Sequence, residues 1–126
     1  MSMGVIKVIN LKHEPPHQRD GIYFYIGRDR YGNILGNPFT SIKTNHNLAL
    51  YVCNSREESI EKYREYFHTE IQTNQELRSK ILEIYRLYEQ GETIYLGCFC
   101  KPLSCHGDII KEFIEKTFLT NQEKNV

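Results

Sequence analysis

The chain has no tryptophan and no net charge. Its longest apolar stretch, around residues 94–99, is far short of the roughly 20 residues of a membrane span. The N-terminus lacks the apolar core of a signal peptide, and there are no internal repeats or low-complexity tracts. The expected setting is therefore cytoplasmic, away from membranes. Sixteen Lys and Arg residues balance sixteen Asp and Glu residues, which excludes the broad electrostatic footprint of a duplex-nucleic-acid binder and leaves room for a local basic pocket. Nine Tyr, six Phe and 40% apolar residues exclude a disordered chain. One domain is expected over residues 1–126, with a core at about 4–118 and a polar tail at 119–126. Its 14.9 kDa suffices for a core without disulfide or metal support.

The four cysteines do not form a secreted framework. Cys53 stands alone, whereas Cys98, Cys100 and Cys105 crowd together with His106 directly after. Reduced thiols are expected. Zinc is not, because a structural site draws two ligand pairs from separated segments and adjacent Cys105 and His106 diverge. The cluster is either a site or a buried strand that favours small apolar side chains.

Hydrophobic periodicity gives an α/β order. Strands are expected at residues 4–11 and 22–26, a long loop rich in Gly and Asn at 28–40 and on to 47, and a short extended stretch at 48–52. Ser55 with Glu58, and Thr73 with Glu76, are spaced as capping boxes for two helices. Gly91 fits the left-handed position after the second helix. Residues 93–100 (TIYLGCFC) are apolar on both faces, which predicts the central strand of a sheet. A last helix starts near residues 104–108. In such sheets ligands sit outside the carboxyl ends of the strands, where loops lead into helix N-termini.

Two segments lie at such ends. In the first, a strand delivers Cys98 and Cys100 to one face, and Pro102 breaks it. The following helix start, Cys105 to Asp108, offers free N–H groups and a positive dipole end to a phosphate or carboxylate. Gly107 would let a ligand approach the backbone, and a thiol at Cys105 would be activated by the same dipole. Cys105, His106 and Asp108 are the candidates for nucleophilic or acid–base chemistry, Asp108 also for accepting a hydrogen bond from a ribose hydroxyl. In the second segment, Tyr25, Gly27 and Arg28 precede Gly36, Asn37, Pro38 and Phe39. Arg28 can clamp an anion with its planar fork. Asn37, held extended by Pro38, can present its amide. Tyr25, Tyr31 or Phe39 can stack on a base. The opposing readings are structural: Cys98 and Cys100 as core thiols, Asp108 as a helix-stabilising first-turn acid, and Gly36 to Pro38 as turn residues.

These residues carry a resemblance. Tyr25 to Arg28, Gly36 to Phe39, Ser55 to Glu58, and the pattern Cys-x-Cys-x-Pro-x-x-Cys-His-Gly-Asp ending at Asp108 resemble the domain-of-unknown-function family 4326 of bacteria and phages. The likeness runs from about Val5 to Phe113, with a longer stretch between Phe39 and Ser55 in this copy. It implies a compact Rossmann-like α/β fold and a prokaryotic or phage setting. A nucleotide or ADP-ribose-like ligand is the reading by fold analogy. The alternatives are an enzyme acting on such a ligand, by glycosyl or phosphoester chemistry, or a metal-bearing or interaction module. No cofactor is expected. Zero net charge leaves self-association into a homo-oligomer unopposed.

Overall fold

The computed structural model describes residues 3–11, 21–27, 33–37, 39–40, 51–52, 55–98 and 106–124. In chain order they form β1 (Val5–Asn10), β2 (Ile22–Tyr25), β3 (Phe39–Thr40), β4 (Tyr51–Val52), α1 (Arg56–Thr73), α2 (Gln75–Glu89), β5 (Thr93–Cys98) and α3 (Gly107–Lys124). β5 lies between β1 and β2 in a fully parallel sheet, with Ile94 level with both Ile6 and Ile22. Three helices flank that sheet. The architecture is α/β, as the order of elements predicts, and Rossmann-like, as the resemblance implies.

The central position of β5 follows from its composition, since residues 94–98 are all buried and only a strand covered on both faces tolerates that. The period-two rule then sorts the side chains. Ile6, Ile26, Ile94, Leu96 and Cys98 enter one apolar cluster with Tyr63, Phe67, Leu77, Ile84, Ile110 and Ile114 of the helices. Ile9 and Tyr95 point the other way and are also buried, outside that cluster. Gly97 shares their side. A Cβ there would come to 2.5 Å from the Tyr23 ring, so the missing side chain leaves room for that ring against the central strand.

Capping explains where the helices begin and end. The Ser55 side chain accepts from the Glu58 N–H at 3.1 Å, as expected for α1. The second helix departs from expectation. Thr73 is the last residue of α1 rather than a cap, and Asn74 ends α1 while its side chain accepts from Leu77 N–H to open α2. Asn is the stronger cap, and its extended backbone lets the two helices follow with one residue between them. α2 closes with Gly91 at φ 87°. Gly91 N–H donates to Tyr88 O and Glu92 N–H to Leu87 O, the paired bonds of a Schellman end. The same end receives β1, because Gly4 N–H donates to Tyr88 O and Val5 N–H to Glu92 O.

Two further differences concern the ends of segments. The expected loop at 28–40 finishes in β3, which pairs in parallel with β4, Phe39 opposite Tyr51 and Thr40 opposite Val52. The tail expected at 119–126 is helical as far as Lys124, and Asn121 Nδ2 donates to the Tyr85 hydroxyl at 2.6 Å. A helix already started adds residues at little cost, and nothing after Phe118 breaks it. Among the described residues no helix is long and apolar enough to cross a membrane.

Candidate functional site at the carboxyl edge of the sheet

Because the sheet is parallel, the carboxyl ends of β1, β5 and β2 share one edge, at Asn10, Cys98 and Tyr25. The backbone beyond β2 is held there from both sides. Ile26 N–H donates to Gly97 O at 3.0 Å, so the Ile26 carbonyl also points toward β5. It is met at 2.6 Å by His106 Nε2. A carbonyl oxygen only accepts, so Nε2 carries the proton. The carbonyls on either side face the opposite way, and a single amide takes both: Asn33 Nδ2 donates to Tyr25 O and to Gly27 O, each at 2.8 Å. Three successive carbonyls at the end of β2 are thus capped by side chains from two distant segments.

Asn33 does more than clamp. Its Oδ1 accepts from Leu35 N–H at 3.1 Å and its main-chain oxygen from Gly36 N–H at 2.9 Å, which folds residues 33–36 into a turn. The turn is tied to α1 by two further bonds. Tyr63, fully buried, donates its hydroxyl to Leu35 O, and the buried Asn37 donates Nδ2 to Ser59 Oγ at 3.1 Å. The His106 ring stands edge-on to Tyr63 with centroids 4.9 Å apart. The strand end, the turn, α1 and the start of α3 therefore form one hydrogen-bonded frame.

Several expected site residues have their roles changed by this frame. His106 is 5% exposed and its Nε2 is committed to Ile26 rather than turned to solvent. Its carbonyl accepts from Ile109 and Ile110 N–H, so it is the residue that caps α3, which places Asp108 second in the helix. Gly107 is buried. A Cβ there would meet Ile26 Cδ1 at 2.6 Å and Val8 Cγ1 at 2.9 Å, so this glycine is needed for the helix to dock on the sheet, and the room it leaves is filled by the protein. Asn37 faces Ser59. Asp108 is half-buried in the first turn of α3. The Tyr25 ring folds back over Gly27, whose Cβ would collide with the phenol oxygen. Burial pushes the Tyr23 phenol above its ordinary range, and the nearby Tyr25 and Cys98 add to the shift.

Cys98 is buried and reduced, its thiol directed to Ile9 O at 3.7 Å, which is the geometry of a core thiol. Arg28, Tyr31, Pro38, Cys53, Cys100 and Cys105 lie outside the described residues, as does most of the long stretch between Phe39 and Ser55; of Phe39 only the backbone is described. Among the described residues no group of three His, Cys, Asp or Glu side chains converges in a way that could hold a metal.

The two halves of this frame, the strand-to-turn segment and the Cys-to-Asp segment, both fall inside the span matched by a family model. That model, described as a domain of unknown function (DUF4326), covers residues 9–116. The chain belongs to this family. No curated protein and no solved structure matches it. The frame joins these two segments of the chain, since His106 of the later one meets the Ile26 carbonyl next to Tyr25. Asn33, Ser59 and Tyr63 are the parts that residue patterns alone did not single out. Only Asn33 carried a usable signal, an Asx-turn residue followed three positions later by glycine.

Proposed function

We propose that this domain binds a small anionic ligand of nucleotide or ADP-ribose type at the carboxyl edge of its parallel sheet. The observation that carries the reading is the convergence of three parallel strand ends with the N-terminus of α3 on a hydrogen-bonded frame. The positive end of a helix beside strand ends is where α/β folds receive phosphate, and a locked frame holds ligand groups without further ordering cost. Arg28, directly after Gly27 in the chain, supplies the cation in this reading, and Asp108 accepts from a ribose hydroxyl. The clustered thiols, with Cys98 reduced, support a cytoplasmic setting.

Thermal shift with ADP-ribose, NAD and AMP tests this. A ligand that binds only the folded state raises the melting temperature. Arg28→Ala is expected to abolish the shift without lowering the melting temperature of the unliganded protein, and Asp108→Asn to weaken binding by about 1–3 kcal/mol. No shift with any of the three ligands, or an unchanged shift in Arg28→Ala, refutes the site as drawn. Unchanged affinity in Asp108→Asn with loss of product formation by roughly 10²–10⁴-fold would instead identify an acid–base enzyme.

A further inference from the structure

The helical layer carries a groove of about 870 Å³ between the end of α1, α2 as far as Tyr85, and α3 from Phe113 to Asn121. Phe113, the first lining residue on α3, is seven residues along that helix from His106, a rise of about 10 Å at 1.5 Å per residue. Its floor is apolar, with Ile71, Tyr85 and Phe113 among its walls, and Leu82 stands 45% exposed within it. The volume falls in the range of small-molecule sites, about 300–1,000 Å³. Twelve residues line it, well short of the roughly 20–30 on each side of a standard protein interface.

The charges on the groove have one sign. Among the described residues Arg78 is the single charged residue of the lining, and none of them places a carboxylate there. Neighbouring charges are matched: Lys80 is 3.2 Å from Glu83, and Glu70 takes the Asn74 amide at 3.0 Å. Arg78 has no such partner among the described residues. Gln75, the first residue of α2, also lines the groove, so the positive end of that helix adds to the field of Arg78.

We propose that this groove binds a hydrophobic carboxylate, a free aliphatic or aromatic acid whose head pairs with Arg78 and whose carbon body lies on Leu82, Tyr85 and Phe113. An apolar floor whose described lining carries one cation and no anion is the complement of such a molecule: burial of the body drives binding, and the guanidinium selects the carboxylate. The site is separate from the nucleotide reading and stands without it.

Calorimetric titration with decanoate and with decanol tests the proposal. Decanoate is expected to bind at least about tenfold more tightly than the neutral alcohol, the worth of one charge-assisted contact at a partly exposed site. Arg78→Gln is expected to bring decanoate down to the level of decanol, and Leu82→Glu to remove binding of both. Both side chains are exposed, so circular dichroism should show unchanged helix content. Absence of decanoate binding, equal affinity for acid and alcohol, or an unaltered decanoate affinity in Arg78→Gln would each overturn it. Sedimentation gives one further outcome: a dimer that Leu82→Glu dissociates, with no decanoate binding, would make the groove a contact between two copies and the proposal wrong.

Discussion

Replacing His106 by phenylalanine removes the bond on which the frame closes. Phenylalanine keeps a ring of similar size against Tyr63, so the edge-on contact at 4.9 Å survives. Among the described contacts, what disappears is the donor to the Ile26 carbonyl, now at 2.6 Å. Ile26 is fully buried, so water cannot readily replace the imidazole, and an acceptor left unpaired in such a place costs about 1–3 kcal/mol. Over 126 residues the unfolding entropy is about 0.26 kcal/mol/K. The melting temperature of His106→Phe should therefore fall by about 4–12 °C. His106→Gln, whose amide nitrogen can reach the same carbonyl, should recover part of the loss. Differential scanning calorimetry with a urea titration at neutral pH measures both. A His106→Phe protein as stable as the parent, within about 0.5 kcal/mol, would show that the imidazole is not holding the strand end. A role limited to acid–base chemistry would produce that outcome together with a defect in turnover.

Two more perturbations follow from the packing around α3. Gly107→Ala should destabilise by about 1–3 kcal/mol, because the added methyl meets Ile26 and the stiff Val8 side chain; a gain in stability by urea titration would mean the helix start is free to shift. Glu112 accepts from Lys116 at 2.7 Å and from Arg64 of α1 at 3.2 Å, bonds that hold its carboxyl below the ordinary range, the Lys116 bond contributing most. A lowered folded pKa adds stability above the ordinary carboxylate pKa and loses it as pH falls through the folded value. Glu112→Gln should thus cost no more than about 1 kcal/mol at pH 7, since the group is partly exposed and screened. The gap from the parent should close progressively from about pH 5 downward; a gap independent of pH would refute the ion-pair account.

The sheet was largely legible because its signals are local. β5 reveals its central place through an unbroken apolar run, and Gly91 and Ser55 mark helix ends through their own conformational preferences. The cap of α2 was misplaced by one residue because Thr73 with Glu76 has capping-box spacing, whereas Asn74 makes its bond with no glutamate partner. The frame was harder to foresee. Asn33 and His106 act on backbone carbonyls, and any residue supplies a carbonyl, so no pattern in residues 25–27 advertises the acceptors. His106 and Gly107 stand in a polar-looking turn, yet both are buried. Their sequence neighbourhood does not show that Val8 of β1 and Ile26, just past β2, close over Gly107. The residues at the sheet edge could be named in advance, but which of them turn inward depends on contacts from the far end of the chain.

The strand order has a consequence for how the molecule comes into being. Among the described residues β1 and β2 are not partners of each other; each pairs only with β5. The thiol of Cys98 meets the carbonyl of a residue 89 positions earlier. During synthesis both early strands must therefore wait, unpaired, until more than two thirds of the described chain has emerged. The α1–α2 hairpin can form in that interval from local contacts, whereas the sheet closes late, as a single insertion of β5 between two strands already present. Such a topology makes folding slow relative to chain length, and leaves two apolar strands with open edges in the nascent protein.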